Sequence, residues 1–356
     1  MKQNHGVSFK DIKQLLLLLR PLIPHMMLTI TLGVLGYLSI TAITVLGGMA
    51  ILQFSGLGEY APITLLIGGV ISAGVMRAIF RLSEQYSTHY IAFRILAIVR
   101  DQIFSKLRKL SNQQIQSIQK GELMNIVTKD VELLEVFYAH TIAPVCIGVV
   151  TSAIYIGILS SFHPLYGVAG FIAYIMISYC IPKAVYSYGE RAGENYREGF
   201  ASLSNFLMDS LKGIKELLVF GAQKRTLETI DYYSEQLNDT TLELKKHEGL
   251  LKAATDIGLY CMVFLQIALS IYLYNEQRVT ASESLLALLV LFASFGPSLA
   301  LSQLSASLVH TFASAKSVLQ LLNIQPQIQV SGMETAGEVH ELSFHNVAFG
   351  YNEQQP

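Results

Sequence analysis

Charge is what this sequence has least of. Only 14% of its 356 residues are Asp, Glu, Lys or Arg, against 52% hydrophobic, and soluble proteins carry about 25% charged residues. The mean hydropathy is +0.43. The few charges nearly cancel, at a net −1, so no basic field invites a nucleic-acid partner. Cysteine is scarce too. Cys146, Cys180 and Cys261 lie far apart, each in an apolar stretch, and no CxxC pair or Cys/His cluster supports a disulfide framework or a zinc site. They read as buried, inert thiols. No cleavable leader is expected at the N-terminus either. Lys10 and Lys13 precede the run Leu15 to Leu19, but Arg20, Pro21 and Pro24 cut it short, and no small-residue cleavage site follows. Residues 1–25 read instead as an amphipathic helix lying on a membrane surface.

Long apolar runs are abundant. A spanning helix needs about 20 mostly apolar residues, and six segments meet that need, at about 26–52, 61–82, 136–159, 164–186, 253–274 and 284–310. The links Gln53 to Tyr60 and Ser160 to His163 hold no Lys or Arg, and the fifth link holds only Arg278. The connections after spans two and four are rich in them, from Arg94 and Arg100 to Lys129 and from Lys183 and Arg191 to Lys252. Under the positive-inside rule both termini and both long connections are cytoplasmic. Those connections also keep helix-forming composition, with few prolines or glycine clusters over 87–120 and 187–250. Thirty helical residues extend roughly 45 Å, so spans two to five are expected to continue as two long helical hairpins beneath the membrane.

Local sequence narrows the reading. Lys120 to Val131 (KGELMNIVTKDV) resembles the G-E-L-x-N/R-x-x-x-D-V stretch of ABC exporters, just after their first coupling helix. Gly121 is placed to end one short helix and Glu122 to sit in the first turn of the next, where the dipole favours a negative charge; Asp130 is the motif's aspartate. Gly213 to Ala222 (GIKELLVFGA), with Glu216 and Gly221, resembles the family's second coupling region. In that family such helices press into a groove on the ATPase domain and transmit its closure. The plain alternative is two ordinary helix-turn-helix corners.

After span six come Leu319 to Leu322 and a polar linker, residues 323–340, with Pro326, Gly332 and Gly337. Leu342 to Tyr351 then alternates like a strand and resembles the opening strand of an ABC ATPase domain, in which Tyr351 takes the place of the tyrosine that stacks on adenine. No G-x-x-x-x-G-K-[ST] phosphate loop occurs in the 356 residues. Residues 341–356 are therefore expected to be the start of a truncated ATPase domain, with ATP used through its missing part. The expected fold class is an all-α membrane protein: six transmembrane helices with two long cytoplasmic hairpins, the ABC exporter transmembrane fold, over residues 20–322.

A narrower resemblance runs through Arg81 to Leu96 (RLSEQYSTHYIAFRIL), which is similar to the R-x-x-E…S/T-H-x-x-x-F-R-x-L stretch of one subfamily. That subfamily is the C-type subunit of the heterodimeric thiol reductant exporter needed to assemble cytochrome bd oxidase. The resemblance implies a bacterial cytoplasmic-membrane protein, a related D-type partner, and a cargo of cysteine, glutathione or haem. It also implies that His89 is an axial ligand of haem b, an iron ligand that imidazole chemistry suits. Gln85 departs from members that carry arginine there, which removes a partner for a haem propionate. Tyr86, Tyr90 and Phe93 suit either a porphyrin's flanks or interfacial anchors.

Read by themselves, Arg77, Arg81 and Glu84 fall on one helix face within about 60°. Both arginines are in reach of Glu84, which would leave one positive charge for an anionic cargo, since ionisable groups at membrane depth usually face the bundle interior. The structural alternative is a salt bridge plus a snorkelling arginine. Two other functions stay open on the same sequence, a generic lipid, drug or peptide exporter and a haem-binding assembly factor without vectorial transport.

Overall fold

The computed structural model describes residues 9–118, 120–302, 305–327, 341, 343 and 345–347. Among these, every regular element is a helix. The strand expected at 342–351 falls almost wholly outside the described residues, and Tyr351 lies outside them altogether. In chain order the helices are α1 (Phe9–Leu18), α2 (Ile23–Phe54), α3 (Ile63–Leu107), α4 (Asn112–Ser117), α5 (Lys120–Asn125), α6 (Val131–Phe137), α7 (Ala143–Phe162), α8 (Pro164–Ile175), α9 (Ile181–Lys212), α10 (Ile214–Val219), α11 (Gln223–Asn275), α12 (Ala281–Ala293), α13 (Gly296–Ser302) and α14 (Ser305–Asn323). Single π-helical turns at Ile126–Asp130, Tyr138–Ile142 and Met176–Cys180 join α5 to α6, α6 to α7 and α8 to α9. Six helical stretches are long and apolar enough to cross a membrane: Arg20–Phe54, Ile63–Leu107, Gly121–Phe162, Pro164–Val185, Gln223–Asn275 and Ala281–Ser302.

The sequence makes these helices self-sufficient in an apolar medium, where every polar group must find an internal partner. In α2 the hydroxyls of Thr31, Ser39 and Thr44 donate back to the carbonyls of Met27, Leu35 and Ile40 at 2.9, 2.7 and 3.2 Å. Two helices far outrun a bilayer. The 45 residues of α3 and the 53 of α11 extend about 68 and 80 Å at 1.5 Å per residue, against a hydrocarbon core of about 30 Å.

By internal contacts the chain divides into two compact units. One comprises Met27–Ser87 and Thr141–Ala306. Its core gathers Tyr155, Leu159, Tyr166, Tyr174, Leu273, Leu291 and Phe295 from α7, α8, α11 and α12, and from the break after α12. Three buried tyrosines stitch its spans together. Tyr155 Oη donates to the Tyr37 carbonyl at 2.9 Å and meets Thr41 Oγ1 at 2.9 Å, tying α7 to α2. Tyr166 Oη donates to Ser270 Oγ of α11 at 3.0 Å and lies 3.3 Å from Ser284 Oγ of α12. Tyr174 Oη meets Ser294 Oγ at 2.6 Å, and Ser294 Oγ donates to the Leu291 carbonyl at 2.7 Å. Close approach is permitted at Gly148, where an added Cβ would come within 2.6 Å of a Leu301 methyl on α13. The apolar window of α3 is 6% buried against 44% for the sixth span, so α12 and α13 help build this core and the apolar stretch of α3 does not.

The sixth apolar segment, expected over 284–310, is not one unbroken helix. It stops at Ala293 and restarts at Gly296, where Pro297 has no N–H to continue the ladder. The Ser294 hydroxyl adds a second donor to the Leu291 carbonyl, which also accepts from the Ser294 N–H, at the end of α12. The thiols also depart from expectation. Cys180 and Cys261 are exposed and Cys146 half-buried, because they sit on outward helix faces whose apolar neighbours suit lipid contact.

The second unit comprises Met1–Met26, Thr88–His140 and Ser307–Pro356. Leu15, Leu19 and Leu22 turn inward while Leu16 and Leu17 stay exposed, and Tyr138 Oη donates to the Leu15 carbonyl at 2.9 Å. Asp130, 9% exposed, accepts from Ser314 Oγ of α14 at 2.9 Å.

Candidate functional site

The charged set at membrane depth belongs to the first of these units. Arg77 lies about 21 Å along α3 from Ile63, well inside a core of about 30 Å. One turn on, Arg81 Nη1 bonds Glu84 Oε2 at 2.7 Å, with the carboxylate side chain 12% exposed and the guanidinium 45%. Arg77 takes no part in that pair, contrary to the expectation that both arginines reach Glu84. Its guanidinium carbon sits 5.3 Å from the centroid of the Tyr37 ring on α2. A Cβ added at Gly36 would meet Arg77 Nη1 at 3.1 Å, so the missing side chain makes room for the guanidinium. The aromatic face attracts the cation without neutralising it. Just beyond Glu84, Thr29 Oγ1 and Ser87 Oγ meet at 2.6 Å and fasten α2 to α3. Two carboxylate-seeking groups thus have different fates: Arg81 is compensated, and Arg77 has no carboxylate partner among the described residues.

His89 is described within the other unit. Its side chain is 47% exposed, with Nδ1 3.8 Å from Glu135 Oε1. Its ring lies 6.3 Å from the Phe93 ring and 6.1 Å, edge-on, from that of His140. One turn before Phe93, Tyr90 packs against His25 at 5.1 Å. Glu135 thus stands on the Nδ1 side of the ring, at a separation longer than a hydrogen bond. Among the described residues no group of three or more His, Cys, Asp or Glu could hold a metal ion. His89 thus offers one imidazole donor, the number that a macrocycle with its own equatorial ligands requires from a protein on one face.

The two corner regions have defined caps. At the first, Ser111 and Gln114 form a reciprocal capping box on α4, in which each side chain satisfies the other residue's orphan N–H. Gly121 does not end that helix, as expected from its sequence; α4 ends at Ser117 on the extended residue Ile118, and Gly121 lies in the first turn of α5 beside Glu122. A glycine in a first turn needs no left-handed geometry, and none is present. At the second corner Gly213 caps α9, its N–H reaching Asp209 O at 2.9 Å, and Glu216 occupies the first turn of α10. Gly221 has φ +63°. Its N–H reaches Leu218 O at 3.4 Å while that of Ala222 reaches Leu217 O at 3.0 Å, a Schellman ending that favours glycine. The tip is apolar yet open: Phe220 is 81% exposed, and Leu218 and Val219 are exposed beside it.

Tyr37, Glu135 and His140 are the residues that sequence reasoning missed. His140, a second histidine in a segment of membrane-helix character, was legible; Tyr37 and Glu135 matter only through contacts between helices.

Similarity to known proteins agrees with this architecture. A probable ABC transporter ATP-binding/permease protein of Haemophilus influenzae is 33% identical over 356 residues, 100% of this chain and 64% of that protein. The glutathione/L-cysteine transport system protein CydC of Escherichia coli is 26% identical over 297 residues, 80% of this chain and 50% of its own length. An ATP-dependent lipid A-core flippase of Chromobacterium violaceum is 18% identical over 282 residues, covering 79% and 48%. The chain thus spans about half to two thirds of the length of these relatives. The family model for the ABC transporter transmembrane region matches residues 26–298, from the first turns of α2 into α13, and the chain belongs to that family.

Proposed function

We propose that this chain is the transmembrane half of an ATP-driven exporter subunit, the C-type partner of a related D-type subunit, which moves a small anionic thiol such as glutathione. The observation that carries the reading is Arg77, a cation at membrane depth held on the Tyr37 ring with no carboxylate partner among the described residues. Such a group favours a carboxylate-bearing cargo, and the similarity to a protein named for glutathione and L-cysteine transport agrees with it. ATP would be used by an ATPase domain such as those the longer relatives are named for, and Tyr351 would supply its adenine-stacking ring. The two corners, through Gly121, Glu122, Asp130, Gly213, Glu216 and Gly221, carry its closure to the spans. The protein sits in a bacterial cytoplasmic membrane with both termini inside, as the Lys and Arg distribution favours. Haem b is a second ligand of the same assembly: His89 would hold its iron through Nε2, Glu135 would orient the ring, and the bound haem supplies redox chemistry.

The test is ATP-dependent glutathione uptake into inverted vesicles that carry the full-length gene product and its partner. Wild-type uptake that Arg77→Ala raises at least about tenfold in KM supports the reading, since one lost charge-assisted contact is worth about 1.5–3 kcal/mol. Transport of lipid A or neutral drugs, indifferent to Arg77, would instead favour the generic exporter, to which the flippase relative is a pointer.

A further inference from the structure

The chain leaves its last described helix tied to the first corner. Gln114 Nε2 donates to the Gln325 carbonyl at 2.8 Å, and the Gln327 N–H donates to Gln114 Oε1 at 3.2 Å. One carboxamide thus grips a backbone acceptor and a backbone donor on either side of Pro326, as a neighbouring strand would, because the carbonyl of residue i and the N–H of residue i+2 face the same way in an extended chain. Ser111 Oγ adds a bond to Gln327 Oε1 at 3.2 Å. The same Gln114 Oε1 accepts from Ser111 N–H at 3.1 Å in the capping box of α4. Higher up, Ser314 Oγ on α14 donates to the buried Asp130 at 2.9 Å. Cap, linker and last helix therefore converge on one connection.

We infer that Gln114 is a positioning residue that docks the linker after α14 onto α4, so that whatever pulls on the linker moves the first corner directly. This rests on the transporter reading above, in which the linker leads to the ATPase domain. It adds a second route of transmission, through the covalent chain, beside the groove contact expected of coupling helices. Pro326 suits the role, since its fixed φ and missing N–H leave the segment stiff and free of competing helical bonds.

Hydrogen exchange on the full-length protein with its partner, in nanodiscs, tests the inference. Peptides covering 109–118 and 320–330 are followed with and without ATP–vanadate in wild type, Gln114→Ala and Gln327→Pro. The proline variant removes the linker N–H and the Gln327 side chain while leaving the cap of α4 untouched. Without nucleotide, the linker peptide should exchange about fivefold faster in Gln114→Ala and, at the amides that remain, in Gln327→Pro, the scale of one or two net hydrogen bonds, and the 109–118 peptide should keep its protection in Gln327→Pro. With nucleotide, both peptides should respond together in wild type, and only the linker peptide in Gln327→Pro. Linker exchange unchanged in both variants, or a 109–118 response identical in wild type and Gln327→Pro, overturns the inference. If nucleotide alters neither peptide in wild type, the transporter reading and the transmission role fail together, whereas the docking itself is still decided by the nucleotide-free rates.

Discussion

At the residue scale the protein turns on where single charges and rings go. Arg77 and Arg81 are one turn apart and chemically identical, yet Arg81 finds Glu84 and Arg77 finds Tyr37. If the Tyr37 face is what holds Arg77, Tyr37→Phe keeps the attraction and Tyr37→Leu loses it. A cation–π contact is worth about 0.5–2 kcal/mol, so we expect glutathione KM to be near wild type for Phe and about three- to tenfold higher for Leu. Equal effects of the two variants would show that the hydroxyl, not the face, matters. For His89, absorption spectra of the haem-supplemented heterodimer should show a Soret band that His89→Ala abolishes. Glu135→Gln should retain the band with about tenfold weaker haem affinity, as for other groups that orient a ligand. A band of equal strength in His89→Ala would place the haem elsewhere. The shared face of Arg77, Arg81 and Glu84 was legible from helical periodicity, but their division of partners was not. It depends on Gly36 opening a space on a helix some forty residues earlier, which no spacing along α3 encodes.

At the element scale the sequence was most transparent where hydropathy alone decides. All six spans and both long arms follow from apolar runs and from the absence of breakers between them. The interruptions were harder. Gly296-Pro297 signals the break in the sixth span, but only the fold shows Ser294 closing the end of α12 on Leu291 and Tyr174 holding Ser294 in place. Ser294→Ala leaves the Tyr174 hydroxyl without this partner, while the Leu291 carbonyl keeps the backbone N–H of residue 294, and should cost about 1–2 kcal/mol. Tyr174→Phe removes one bond and should cost about 0.6 kcal/mol, the average measured between membrane helices. Thermal unfolding in a mild detergent reads both, and a double variant no worse than Ser294→Ala alone would demonstrate that the two groups act as one unit. At the second corner Gly221→Ala must hold a Cβ at φ +63°, at about 1–2 kcal/mol. The cost should appear as faster hydrogen exchange around α10 with the rest of the protein unchanged.

For the whole molecule the Lys and Arg distribution favours one sidedness, which helices by themselves do not. Replacing Cys146, Cys180 and Cys261 and adding one cysteine at a time checks it. A thiol at Leu57, between α2 and α3, should react with a membrane-impermeant maleimide on intact cells. One at the exposed Phe220 should react only after the cells are opened. The reverse pattern would invert the topology and remove both corners from any cytoplasmic motor.

The three tyrosines on α7 and α8 also impose a schedule on synthesis. Tyr155 looks back to α2, which the ribosome has already delivered, whereas Tyr166 and Tyr174 look forward to Ser270, Ser284 and Ser294. For the roughly one hundred residues made between them, the Tyr166 and Tyr174 hydroxyls lack these partners, at a cost of about 1–3 kcal/mol for each that no other group or water meets. The uncharged α7–α8 pair is thus a keystone set before the arch is finished. A ribosome stalled before Ser270 leaves that keystone exposed to membrane quality control, and one stalled after Ser294 does not.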